Sequence, residues 1–435
     1  MSTQTWTWHT KPIGVTFRLG FVIRLGHALG YNRVMPADVI YLDNHATTRV
    51  DPRVVDAMLP YFTEQFGNPG SVSHAFGWEA REAVDRARET IAAAIGASAR
   101  ELVFTSGATE SNNLALRGVA ERARRKGNHF VSVKTEHKSI LDPLDRLSRR
   151  DFAVTLLDPL PGDHPRAGWL DPAQVSAAIT DQTLLVSVML ANNEIGVIQP
   201  LAEIGRICHE RGVLLHCDAT QAVGKLPVDV TALGVDLLSF TAHKIYGPKG
   251  IGALYVRRSP PPVKLQPLID GGGQEGGVRS GTLNVPGIVG FARTVELCLE
   301  TQAAEAVRLA GLRNRLYAGL LAAVSGVRLN GPALDAEGLR LAGNLNCSFD
   351  EVDGEALMMA IKTVAVSSGS ACTSANPEPS HVLRALGYSH ERTRASLRFG
   401  LGRFTTPDHI DHAIAAVSAA VEKLRKLGGA VDRAS

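Results

Sequence analysis

Residues 213–244 read VLLHCDATQAVGKLPVDVTALGVDLLSFTAHK, and two short apolar runs within them, VLLHC (213–217) and DLLSFTA (236–242), decide the fold. Each run has strand length. The first leads into Asp218, the second into Lys244. Further runs lie outward on the N-terminal side: LVFT (102–105), FVSV (130–133) and LLVSVML (184–190). GALYV (252–256) continues the series on the other side. Helical patterns at 110–125 and 201–211 separate them. Short apolar strands alternating with helices predict an α/β fold, a mostly parallel sheet covered on both faces. After Gly281 the pattern changes. Helices are predicted over 285–312, 316–324, 354–362 and 408–427, with strands only at 344–349 and 395–399. That is a smaller α+β unit, with a boundary near residue 300. Two units also suit a chain of 435 residues, because single cores rarely grow past about 250–300 residues.

Composition narrows the function. The chain has 46 basic and 43 acidic residues, and the net charge of +3 is too small to imply nucleic acid or a membrane as partner. Five scattered cysteines contain no CxxC pair, which argues against a zinc or thioredoxin-type site and for free thiols in a reducing compartment. Residues 1–34 carry Lys11, Arg18, Arg24 and Arg33 but no acid. Arg18 and Arg24 interrupt the apolar stretch, so it cannot span a bilayer, and it lacks a secretory cleavage pattern. Two readings remain, an organelle transit segment or an untranslated leader with Met35 as the start. The second is favoured because Met35-Pro36 leads directly into a strand.

The residues that carry chemistry cluster at strand ends. Ligands of parallel sheets collect at the carboxyl ends of strands, which puts Asp218 and Lys244 on one rim. A lysine there can form a Schiff base with an aldehyde cofactor, and a carboxylate can keep a pyridine nitrogen protonated. Taken singly, each reads as a helix-capping Asp or a surface Lys. FTSGATE (104–110) passes from a strand through Gly107 into a helix, offering free N–H groups and the Thr109 hydroxyl to a phosphate. It lacks the GxxxxGK[ST] spacing of a P-loop, and alone it is an ordinary capped helix. His137 follows the strand FVSV and is a candidate acid or base on the same rim, although a lone histidine is more often structural. Cys372 sits in SSGSACTSA, a small-residue stretch that reads as a loop with no core to join. Cys208, Cys217, Cys298 and Cys347 read as buried structural thiols. His45, in LDNHATT, is taken as a turn residue near the entrance without a role.

Eight ordered segments carry a resemblance: TSGATESNN (105–113), TEHKSILD (135–142), NNEIG (192–196), DATQAVGK (218–225), SFTAHKIYGPKGIGALYVRR (239–258), RSGTLN (279–284), SSGSACTSA (367–375) and LRFGLGRFTT (397–406). From about Tyr41 onward the chain resembles the cysteine desulfurases, and more narrowly their housekeeping iron–sulfur-cluster branch. These are class V aminotransferase-like enzymes of the type I pyridoxal-phosphate fold. The resemblance implies a large cofactor-binding domain at 54–300 and a small domain made from 35–53 and 301–435. It implies that Lys244 carries pyridoxal 5'-phosphate, Asp218 faces the ring nitrogen, Gln221 the phenolic oxygen, and His137 stacks on the ring. Ala108, Thr109, Thr241 and His243 match phosphate contacts. Thr282 matches one donated by the partner subunit of a homodimer. Asn193 and Arg398 match the groups that hold the substrate carboxylate, where a planar guanidinium suits bidentate pairing.

The implied reaction takes sulfur from L-cysteine onto Cys372 as a persulfide and releases L-alanine. The implied acceptors are an iron–sulfur scaffold protein and tRNA-thiolation carriers, in the cytoplasm, or in an organelle matrix if residues 1–34 are a transit segment. A 2Fe-2S cluster shared transiently with the scaffold would make Cys372 the metal ligand. Selenocysteine lyase, transaminase and kynureninase-like hydrolase are the alternatives on this scaffold; Cys372 argues against the last two. A mere binding scaffold predicts loss of the cofactor residues, and each matched position is intact. Two departures stand out. Gly276 occupies a position where the family more often has a basic residue, and PLPGDHPRAGW (159–169) is longer than usual and reads as a surface loop.

Overall fold

A computed structural model describes residues 39–368, except 337, and 379–431. Cys372 and the leader lie outside the described residues. The described strands are β1 (Ile40–Tyr41), β2 (Leu102–Thr105), β3 (His129–Val133), β4 (Ala153–Leu157), β5 (Thr183–Ser187), β6 (Leu214–Asp218), β7 (Leu237–Thr241) and β8 (Gly252–Val256), followed by β9 (Val327–Leu329), β10 (Asn344–Phe349), β11 (Val364–Ala365) and β12 (Ser396–Gly400).

Seven of these form one sheet in the order β2-β8-β7-β6-β5-β3-β4. From β7 to β4 every neighbour is parallel, and only β8 runs against both of its neighbours. The mostly parallel sheet between helices is therefore present. Its inner strands β5, β7 and β8 are buried at every residue, which is why they read as unbroken apolar runs. The edge strand β4 is not among the sequence-predicted strands. Its residues are partly or largely exposed, so AVTLL lacks the apolar signature of its neighbours.

β9, β10 and β12 form a second, antiparallel sheet. The two patterns predicted at 285–312 and 316–324 are one helix, Val285–Ala323. Gly311, where an added Cβ would meet nothing within 4 Å, lies inside it and does not break it. The helix packs Val285, Ile288, Phe291 and Val295 into the core of the large sheet. Leu309, Leu312, Leu316 and Leu320 enter a separate core around the small sheet. Leu42, just after β1, belongs to that second core. The segment 159–169 is less of a surface loop than its composition suggests. Leu160 and Trp169 close it by backbone hydrogen bonds, Ala167 is buried with Val382, Leu383 and Leu386, and Tyr388 donates its hydroxyl to Gly162 O.

Register sets the rim. β6 and β7 align Asp218 with Ser239, while β8 places Gly252 opposite both Thr241 and Thr105. A Cβ on Gly252 would lie 2.6 Å from Gly107 Cα, so only glycine lets the turn after β2 close over this end of the sheet.

Candidate active site

A cleft of about 580 Å³ opens at this rim. Its first wall is built from strand ends. After β2 the chain turns at Gly107 (φ 154°), and the helix Ala108–Ala123 begins with no side-chain cap. The N–H groups of its first turn have no acceptor within the helix, which leaves a cradle for an anion. Ala108 and Thr109 line the cleft there, with Thr241 and His243 opposite. Thr241 gives its hydroxyl proton to Ile251 O at 2.8 Å. His243 Nδ1 lies 3.1 Å from Thr47 Oγ1. Burial, then repulsion from Lys244 and Lys249, pushes His243 down to about 4, so its imidazole is neutral at neutral pH.

Asp218 ends β6, buried, and accepts hydrogen bonds from Asn112 Nδ2 at 2.8 Å and the Thr220 N–H at 3.0 Å. Asn112 also donates to Ser139 Oγ at 2.8 Å, and Ser139 Oγ lies 2.8 Å from His137 Nδ1. The Ser139 N–H donates to that same Nδ1 at 3.1 Å, which assigns its lone pair and leaves the proton of the neutral ring on Nε2. Burial lowers the His137 pKa, with Asp218 pulling the other way. Asp218 and His137 are thus ends of one hydrogen-bonded chain. Its middle members, Asn112 and Ser139, were not singled out by sequence reasoning, although both lie inside the quoted motifs.

Lys244 Nζ donates to the backbone carbonyls of His45 (2.7 Å) and Ala46 (2.6 Å). Gln221 Nε2 donates to the same His45 carbonyl at 2.9 Å. Gln221 Oε1 accepts from Lys225 Nζ at 2.6 Å and lies 3.2 Å from His45 Nδ1. His45 is therefore no bystander. It is buried, held neutral by desolvation, and joins the lysine to the glutamine. Burial and the nearby Lys244 push Lys225 down to about 7.

The opposite wall comes from β12 and the chain after β1. Arg398, whose side chain is 4% exposed, pairs with Asp43 at 2.8 Å and donates to Asn193 O at 3.1 Å. Among the described residues its buried Nε–H has no hydrogen-bond partner. The Asn193 side chain lines the cleft beside it. Thr282 is exposed and does not line this cleft. Cys208, Cys217, Cys298 and Cys347 are buried and form no disulfide among the described residues, and burial raises all four thiol pKa values. Next to Gly276, the charged contact is made by Glu275. Glu275 accepts two bonds from Arg88 (2.6 and 2.8 Å) and one from the Phe104 N–H.

These residues suit pyridoxal phosphate. An uncapped helix start awaits an anion, a buried carboxylate and an amine line the same cleft, and among the described residues the buried hydroxyl of Thr220 on the cleft wall has no hydrogen-bond partner. Among the described residues no cluster of three or more His, Cys, Asp or Glu could hold a metal, and no helix is long and apolar enough to cross a membrane.

The family model "Aminotransferase class-V" matches residues 40–412. Cysteine desulfurase IscS of Anaeromyxobacter dehalogenans is 58% identical over 388 residues, covering 89% of this chain and 94% of its own length. The enzyme of that name from Rickettsia africae is 50% identical over 388 residues, covering 89% of this chain and 92% of its own. A solved NifS-like protein superposes with a TM-score of 0.80 at 35% identity, covering 88% of this chain and 99% of that one. The chain belongs to the class V aminotransferase family, and within it to the cysteine desulfurases.

Proposed function

We propose that the enzyme, a pyridoxal-phosphate-dependent cysteine desulfurase, works through Lys244, Asp218, His137, Arg398 and Cys372. The observation that carries this reading is the convergence of Lys244, Asp218 and Arg398 on one cleft from distant parts of the chain. Pyridoxal phosphate, when bound, supplies the electron sink that acidifies the α-proton of cysteine. The helix start at Ala108 and Thr109, with Thr241 and His243, would hold its phosphate, Asp218 its ring nitrogen, Gln221 its phenolic oxygen and His137 its ring face. The partner subunit's Thr282 would complete the phosphate site.

Arg398 on the cleft wall would pair with the substrate carboxylate, and Asn193 would assist. Asp43 already holds the guanidinium plane, so little freedom is lost on binding. Lys244 exchanges its two carbonyl partners for the α-proton. His137, with Nδ1 engaged by Ser139, leaves Nε2 to serve as the candidate acid or base in proton transfer. The Cys372 thiolate attacks the substrate sulfur. An S–S bond forms, the C–S bond breaks with its electrons on carbon, and protonation of that carbon together with return of the α-proton to Cα releases L-alanine. Ser367 exchanges backbone hydrogen bonds with Arg398 at the cleft wall, and the five residues from there to Cys372 span at most about 17 Å.

The persulfide then passes to an acceptor, an iron–sulfur scaffold protein first, with tRNA-thiolation carriers also compatible and a 2Fe-2S cluster transiently shared at Cys372. A homodimer is supported by the exposed aromatic group Phe62 (59%), Phe66 (64%), Phe76 and Trp78, and by exposed Thr282. A division into 54–300 and 35–53 plus 301–435 is supported by the two separate cores and by the place of Leu42 in the second. A cytoplasmic setting fits the four unpaired thiols among the described residues.

The test is a paired assay. Wild type and Cys372→Ala are given L-cysteine and a reductant, and alanine and sulfide are quantified together. Wild type is expected to release both equally, while the variant keeps its cofactor colour and releases neither. A variant that matches wild type removes Cys372 from the mechanism.

A further inference from the structure

Gln221 is a neutral amide on the cleft wall that shares the His45 carbonyl with Lys244, and an amide can present either of two opposite faces. Which face it presents decides whether it donates to an oxygen in the cleft or repels it. Its neighbours leave one choice. The carbonyl of His45 can only accept, and it takes a hydrogen from Gln221 Nε2 at 2.9 Å. Lys225, as an ammonium, can only donate, and its Nζ lies 2.6 Å from Gln221 Oε1. Turning the amide over would set carbonyl against carbonyl and NH₂ against ammonium. The first restraint is shared, because Lys244 uses the same His45 carbonyl at 2.7 Å. At the second, His45 Nδ1 also lies 3.2 Å from Oε1, but a neutral imidazole nitrogen can either donate or accept, so it is the Lys225 ammonium that fixes the oxygen there.

We infer that Lys225 is a positioning residue for the cofactor. By holding Oε1 it turns the second N–H of Gln221 toward the phenolic oxygen of pyridoxal phosphate and keeps that oxygen anionic. The inference rests on the proposed contact between Gln221 and that oxygen. Lys225 itself is absent from the cleft lining. It lies behind Gln221, on the wall of a second, smaller cavity of about 200 Å³ that shares only His45 with the first. It therefore acts through the amide and touches neither substrate nor cofactor. The spacing has a local origin. Gln221 and Lys225 are four residues apart, and the Lys225 N–H bonds to Ala222 O within the turns after Asp218, which brings the two side chains to the same side.

The experiment reads the pH midpoint at which the visible absorption band of the bound cofactor shifts. It uses wild type, Lys225→Met, Lys225→Gln, Gln221→Leu and the Gln221→Leu/Lys225→Met double variant, each checked for cofactor content. A donor at the phenolic oxygen lowers the midpoint, so losing it raises the midpoint. Lys225→Met is expected to move it up by about one pH unit. Lys225→Gln, which keeps a neutral donor, is expected to stay near wild type even if the methionine variant folds poorly. The double variant is expected to match Gln221→Leu alone, because both changes remove one contact. Additive shifts, or equal shifts for the methionine and glutamine variants, would show Lys225 acting by charge and overturn the inference. An unchanged midpoint in Lys225→Met overturns it while the Gln221 contact stands. An unchanged midpoint in Gln221→Leu overturns the contact itself.

Discussion

The two walls of the cleft are built on different principles. The strand-end wall takes Asp218 from the tip of β6 and Lys244 from just beyond β7, so neighbouring parallel strands bring them together by register alone. The other wall has no such rule. Arg398 comes from the small antiparallel sheet, and its partner Asp43 lies 355 residues earlier in the chain. The first wall gathers the groups that suit a cofactor, the second those that suit a substrate carboxylate. A sheet rim can be inherited unchanged, whereas a wall assembled from a second sheet can change its specificity without disturbing the first.

Substitutions should separate the walls. Lys244→Ala is expected to have the largest effect, lowering kcat by at least about a thousandfold and removing the proposed covalent lysine link to the cofactor, because the amine that would form the link is gone. Retention of that link, read by mass spectrometry after borohydride reduction, would break the assignment. Arg398→Ala should act mainly on KM, raising it by roughly a hundredfold with cofactor affinity unchanged, since a charge-assisted bidentate pair is lost. Asp43→Asn should raise KM less, by about tenfold, as it loosens the guanidinium without removing it. Loss of cofactor in either variant would mean that the walls are not separable.

A third comparison is with pH. His216, fully buried between the hydroxyls of Ser187 and Ser239, has its pKa pushed down to about 4 by burial. A depressed histidine stabilises the fold fully above its unfolded pKa of about 6.5. That contribution is lost as pH falls toward 4, roughly 3 kcal/mol in all. Tm should therefore drop between pH 6.5 and 4, with the buried His45 and His137 adding in the same direction. A flat Tm over that window would contradict neutral burial. The smallest effect is expected at Glu136. Its fully buried carboxyl accepts the Met189 N–H at 2.6 Å, and its pKa is raised well above the ordinary range by burial and by Asp218. Glu136→Gln mimics the neutral acid and should change stability by less than about 0.5 kcal/mol. A large loss would mean that the carboxyl is charged.

Local chemistry made the strand-end wall legible. Apolar runs mark buried strands, the residue after such a run sits on the rim, and Gly107 before a helix marks an anion cradle. Those inferences need only neighbours in sequence, and the long ordered motifs add the family. Other features had no local signal. His45 in LDNHATT looks like any turn residue until the fold places its carbonyl against Lys244 and its ring against Gln221. Asn112 is an unremarked helix residue until its two donors are seen to join Asp218 to Ser139. β4 was hidden because an exposed edge strand needs no apolar run, and the 39-residue helix because it changes partners midway.

The chain's own periodicity and its strand-end residues were thus enough for the sheet, the rim and the chemistry available there. Which side chains face one another, which amide face Gln221 turns to the cleft, and how Asp43 holds Arg398 were decided only in three dimensions. The reason is physical. Strand and helix signals come from burial patterns repeated over a few residues, whereas a hydrogen bond between side chains hundreds of residues apart leaves no periodic trace in either segment.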